Sequence, residues 1–167
     1  RGEHVPQLQL LGRLLCEGRA LPGKEEYLDS EKYELKAWDW DRAGNIREDI
    51  ALVNRLRRQH PALQQFANLN FYNAWNDNIL YFGKFTDDRR DFVLVAVNLD
   101  PQTTQGAHFE VPLWEFELTD DAAISVEDLV SGESYTWTGK VQHMLLDPRQ
   151  RPYAIWRLVP ANGGAVQ

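Results

Sequence analysis

The sequence predicts a mainly β fold, an antiparallel β-sandwich preceded by a loop and one helix. Three observations predict it. After Pro61, about eight short β-rich segments follow one another, separated by clusters of Asn, Asp, Gly and Ser. One of them, Phe92 to Val97, is apolar at every position, the pattern of a strand covered on both faces and therefore central in its sheet. Before Pro61, only Asn45 to His60 keeps a helical period.

The leucine-rich stretch Leu8 to Leu15 fits a short helix, interrupted at Gly12. Lys24 to Gly44 mixes charges with Tyr27, Tyr33, Trp38 and Trp40 and has no sustained period. That content argues against disorder, so the segment reads as an ordered loop. The helix follows. Asn45 can cap its first turn, with Glu48 returning the bond as in a capping box. Ile46, Ile50, Val53 and Leu56 form one apolar stripe, and Arg55, Arg57 and Arg58 sit where the helix dipole favours cations. Pro61 ends the helix.

Strands are expected at Asn68 to Asn73, Ile79 to Thr86, Phe92 to Asn98, Ala107 to Val111, Ile124 to Asp128, Tyr135 to Thr138, Val141 to Leu146 and Ala154 to Leu158. Asn76-Asp77-Asn78 and Asp87 to Arg90 supply turns, Asp100-Pro101 closes the third strand, and Ser131-Gly132 and Thr138-Gly139 turn the later hairpins. The organisation is thus residues 1–64 as loop and helix, 65–160 as the sandwich, and 161–167 as a frayed tail.

Composition bounds the function. At 43% apolar and 11% aromatic residues, the chain is not a disordered one. Its formal charge is −7 with no dense Lys/Arg block, so no nucleic-acid partner is expected. The longest apolar run, Phe92 to Val97, falls far short of the roughly 20 residues a bilayer span requires, so no membrane association is expected either. One cysteine, Cys16, excludes an internal disulfide and a cysteine-based metal site, and favours a reducing, cytoplasmic location. The chain begins Arg1-Gly2-Glu3 and its sole methionine is Met144, so a segment of a longer chain or a trimmed product is expected.

Few residues offer chemistry. His4, His60, His108 and His143 are scattered, none at metal-ligand spacing, and read as surface or helix-end residues. No phosphate loop occurs, Cys16 lacks a nearby histidine, and Asn76-Asp77-Asn78 lacks the distal glutamate of a calcium loop. No cofactor and no metal are therefore expected. The distinctive segment is Glu25-Glu26-Tyr27-Leu28-Asp29-Ser30-Glu31-Lys32-Tyr33, followed by Trp38-Asp39-Trp40-Asp41. Rings beside charged groups suit a sugar, whose apolar faces stack and whose hydroxyls hydrogen-bond. Solvated charges with aromatics gluing the loop to a core explain the same composition. The sandwich aromatics Trp75, Trp114, Tyr135, Trp137 and Trp156 divide the same way, between core packing and a sugar platform.

The string Glu25 to Tyr33 resembles the closing stretch of the catalytic barrel in bacterial maltose-1-phosphate maltosyltransferases, α-1,4-glucan-elongating members of the α-amylase superfamily. The resemblance continues through Asp49 to Leu63, with Val53-Asn54-Arg55 and His60-Pro61-Ala62-Leu63 at the last barrel helix. It resumes at Val97 to Pro101, Val111-Pro112-Leu113, Val126 to Leu129 and Leu145 to Pro148. Gln7 to Leu14 departs from the family's aromatic- and glycine-rich final barrel strand. The resemblance implies that residues 1–64 are the end of a (β/α)₈ barrel and that the sandwich is the C-terminal domain. It implies a retaining two-carboxylate mechanism whose three catalytic carboxylates lie on earlier barrel strands, so no catalytic residue is assigned in this chain. It also implies substrate-binding roles near the glucosyl subsites for Glu31, Lys32 and Tyr33, with α-glucan and maltose 1-phosphate as the parent enzyme's substrates.

The leading reading is thus a non-catalytic C-terminal part of a maltosyltransferase. A carbohydrate-binding module is the second, with Trp75 in the Asn73 to Asn78 turn as first candidate. A dimerisation module, forming a homodimer through the helix's apolar stripe, is the third.

Overall fold

The computed structural model describes residues 37–160. The chain divides into two compact units, Arg1–Arg55 and Leu56–Gln167. In the first, two turns lead into helix α1 (Arg47–Gln59), which crosses the boundary between the units. Asn45 starts the helix as its composition predicts, its Oδ1 accepting the Arg47 N–H at 3.1 Å. The expected return from Glu48 is replaced: the Asn45 N–H donates to the Arg42 carbonyl at 3.3 Å. The Arg47 guanidinium also lies 5.5 Å from the Trp40 ring centroid. Of the apolar stripe, Ile46 (41%), Ile50 (41%) and Val53 (47%) are exposed, whereas Leu56 is buried.

The second unit is the sandwich, and all eight expected strands form. They are β1 (Leu69–Phe71), β2 (Ile79–Phe85), β3 (Phe92–Asn98), β4 (Gln105–Glu110), β5 (Ala123–Asp128), β6 (Ser134–Thr138), β7 (Val141–Leu146) and β8 (Tyr153–Val159). Six make one antiparallel sheet in the order β1-β2-β3-β8-β5-β6, and β4 pairs with β7 in a second. β3 is central as predicted, between β2 and β8. β8 is inserted between β3 and β5 and so joins the two halves of the large sheet.

Between the sheets lies the core. Phe92, Leu94, Ile124, Val126 and Leu158 of the large sheet pack in one cluster with Phe109 and Met144 of the small one. Phe109 is its hub, stacked on Trp156 (5.4 Å, 4°) and edge-on to Tyr81 and Trp137. Polar bonds also cross the gap. The Tyr81 hydroxyl donates to the Glu110 carbonyl, and Asn98 Nδ2 to the Leu146 carbonyl, each at 3.0 Å. Gly83 is required where the Tyr72 ring crosses β2, since a Cβ there would lie 2.7 Å from Tyr72 Cε2.

The buried Asp91, just before β3, ties the chain that leaves α1 to the sheet. Its carboxylate accepts the Ala62 N–H at 2.9 Å, lies 3.0 Å from His60 Nδ1, and sits 3.5 Å from Arg157 Nε on β8. The last is an electrostatic contact rather than a hydrogen bond. Among the described residues, no helix is long and apolar enough to cross a membrane.

Candidate functional site

Polar and aromatic groups concentrate on the outer face of the small sheet. The chain switches sheets to build it: residues 69–71 pair with β2, and Ala74 then bridges Phe109 of β4. Because side chains alternate, Ala74 and Phe109 point toward the core, and their neighbours Asn73, Trp75, His108 and Glu110 share the opposite face. Two backbone bonds hold the register, Trp75 N–H to the His108 carbonyl (3.0 Å) and Glu110 N–H to the Asn73 carbonyl (2.9 Å). On the other side, β4 pairs His108 with His143 and Glu110 with Val141.

Trp75 is 59% exposed, and Trp114, on the 3₁₀ turn Leu113–Phe116, is 43% exposed. The Trp114 ring meets Tyr72 edge-on at 5.9 Å, and Lys140 Nζ lies 5.2 Å from its centroid. Lys140 also pairs with Glu110 (3.2 Å) and Asp120 (3.5 Å). Its hydrogen bond to Glu110 is the main reason its ammonium is held above the usual lysine range. The Glu110 carboxylate accepts Asn73 Nδ2 at 2.9 Å. Beside this group, the Tyr72 hydroxyl donates to Glu115 Oε1 at 3.0 Å, and Arg89 clasps Glu115 Oε2 from Nη2 (2.8 Å) and Nε (3.0 Å). Burial first, and then the Glu115 charge, push the Tyr72 phenol well above its ordinary value.

These carboxylates are clamped by cations and hydrogen bonds, which suits them to hold a shape or accept a hydroxyl rather than to shuttle protons. The exposed rings can stack on an apolar ligand face. Of the five sandwich aromatics, Trp156 is core and Trp137 packs on that core, whereas Trp75, Trp114 and Tyr135 are exposed to solvent. Glu31, Lys32 and Tyr33 lie outside the described residues. The histidines divide as well. His60 is the helix-end residue it reads as, whereas His108 and His143 are surface residues brought side by side, their ring centroids 5.2 Å apart. Their separation in the chain hides this, and only the β4–β7 register reveals it. No group of three or more His, Cys, Asp or Glu side chains forms a metal cluster among the described residues.

The fold is an antiparallel β-sandwich that recurs in solved α-amylase structures. It superposes on α-amylase from Geobacillus thermoleovorans, complexed with acarbose, with a TM-score of 0.52 at 14% identity, covering 75% of this chain and 25% of the amylase. The chain belongs to the family described as GLGE, C-terminal, which it matches over residues 71–158. Relatives named α-1,4-glucan:maltose-1-phosphate maltosyltransferase extend the similarity further. The protein of Cereibacter sphaeroides is 56% identical over 147 residues, 88% of this chain and 22% of that protein. That of Pseudomonas aeruginosa is 58% identical over 144 residues, 86% and 22% of the two chains. The Rhodospirillum rubrum protein is 51% identical over 146 residues, 87% and 21%. The chain therefore spans about a fifth of the length of these relatives.

Proposed function

We propose that this chain is the non-catalytic C-terminal part of a cytoplasmic maltosyltransferase. The full enzyme would transfer maltosyl units from maltose 1-phosphate to α-1,4-glucan through a retaining two-carboxylate mechanism. The observation that carries the reading is identity above one half across most of the chain to proteins of that name. In this reading residues 1–64 complete the catalytic barrel, residues 65–160 are its C-terminal sandwich, and 161–167 are a tail. The loop before α1 is then the last strand-to-helix loop of the barrel, where such enzymes place their sites. Glu31, Lys32 and Tyr33 border the glucosyl subsites, with Lys32 donating to a sugar hydroxyl. Lys32→Ala in a full-length relative should raise KM for the glucan or lower turnover, and a variant with both unchanged removes the assignment. The chain alone should release no phosphate from maltose 1-phosphate in the presence of glycogen, and detectable release overturns the non-catalytic reading.

A second reading rests on the exposure of Trp75 and Trp114 beside Asn73, Glu110 and Lys140. The sandwich would bind α-glucan on that face. Titration with maltoheptaose should shift tryptophan fluorescence, and a flat response up to millimolar sugar counts against it. A third reading is a dimerisation module that pairs through the apolar stripe of α1; sedimentation of the chain should then show a dimer, and a clean monomer argues against it.

A further inference from the structure

We propose that His108 and His143 chelate one divalent transition-metal ion of the imidazole-preferring class, Zn²⁺ or Cu²⁺, which clips β4 to β7. The two residues are direct partners in the antiparallel register, so their Cβ atoms start within about 4.5–5.5 Å of each other on the same face. Their imidazoles are edge-to-face with centroids 5.2 Å apart. A metal bound at 2.0–2.1 Å sits about 3.2 Å from the centroid of the ring that holds it. Once each ring is turned to aim a nitrogen at a shared ion, centroids about 5.2 Å apart would subtend about 110° there, close to the tetrahedral angle that zinc adopts. Both histidines are exposed, so rotation of their side chains can turn a ring nitrogen of each toward the ion without moving the backbone.

The surroundings leave room for the ion and do not compete with it. Gly106, in the next cross-strand row, presents no side chain, and a Cβ placed there would already lie 3.5 Å from His143 Nε2. The nearest carboxylate along β4, Glu110, is held by Lys140 and Asn73, and Lys140 is drawn away from the histidines by Glu110 and Asp120. Water would complete the coordination, since no third ligand joins the pair among the described residues. The pair can do this because its partners come from two strands: an ion that binds the folded pairing, and not the unfolded chain, stabilises the small sheet by mass action.

Calorimetric titration with zinc chloride, and separately with copper sulfate, should give saturable one-to-one binding, tighter for copper as the general order of divalent affinities requires. Zinc should raise the melting temperature, and EDTA should reverse the rise. His143→Ala and, as a milder change at an exposed position, His143→Gln should each weaken binding at least tenfold and abolish the melting shift while leaving the circular dichroism spectrum unchanged. No binding by the unsubstituted chain, or binding and a melting shift that persist in both variants, overturns the proposal.

Discussion

The two sheets of the sandwich use the same strand geometry for opposite purposes. The large sheet buries its middle: β3 has Phe92, Val93 and Leu94 fully buried, and even the outward Val95 and Val97 are half covered. The small sheet buries one face only. Ala107, Phe109, Met144 and Leu146 point inward, while Trp75, His108, His143 and Leu145 stand in solvent. Stability is concentrated in the first, and the groups able to meet a ligand are concentrated on the second. The contrast can be tested by substitutions that should differ by an order of magnitude in cost.

Phe92→Ala should be the most damaging. Phe92 stacks on Phe85 at 5.1 Å and meets Phe116 at 5.0 Å, so its loss leaves a cavity where three elements converge. About 3–5 kcal/mol should be lost in urea unfolding. Gly83→Ala follows. The added methyl would clash with Tyr72 and crowd Leu94 and Phe92, at a cost of about 1–3 kcal/mol. A cost under 0.5 kcal/mol would mean the Tyr72 ring swings away easily.

Alkaline pH should produce a graded loss. Burial holds the phenols of Tyr81 and Tyr72 above their ordinary value, so above pH 10 the unfolded chain releases these protons while the folded one keeps them. The denaturant midpoint should therefore fall as pH rises through 10, and Tyr72→Phe should flatten the slope. At the acid end the sign reverses. Hydrogen bonds from the Thr103 hydroxyl and the Gln102 N–H hold Asp100 down to about 2, so the support it gives its loop is complete above pH 3.8 and disappears as pH falls through about 2. The smallest effect should be Trp75→Ala, within about 0.5 kcal/mol by the same unfolding assay, because the ring is mostly in solvent. A large loss there would erase the distinction between the sheets.

The elements themselves were legible because their signals are local. The apolar run from Phe92, the helical stripe from Ile46 to Leu56 and the cap at Asn45 depend on neighbours in sequence. The expected strand Asn68 to Asn73 shortened to Leu69–Phe71 for a reason no local signal carries: the chain leaves one sheet there and bridges the other at Ala74. Partnerships were likewise hidden. Nothing near His108 points to His143, and nothing in the pattern separates Trp156, stacked in the core, from Trp75 in solvent, because that division is made by sheet order. The Asp91 hub was invisible for the same reason, as it collects groups from the end of α1 and from β8. The resemblance that names a family rests on Glu25 to Tyr33, beyond the described part, on Asp49 to Leu63, and on the sandwich motifs between Val97 and Pro148.

The short ends of the large sheet have a consequence for how copies of the chain can meet. Its two margins are β1, three residues long, and β6, five residues long with Ser134, Thr136 and Thr138 on one side. A strand added at β1 would find only three residues of ladder, and the chain's departure toward β4 ends even that. Edge-to-edge growth at β1, the usual route from a β-rich segment to fibres, is thus blunted by the same switch of sheets that creates the Trp75 face. At the β1 margin, two copies of the chain therefore have little backbone ladder through which to join.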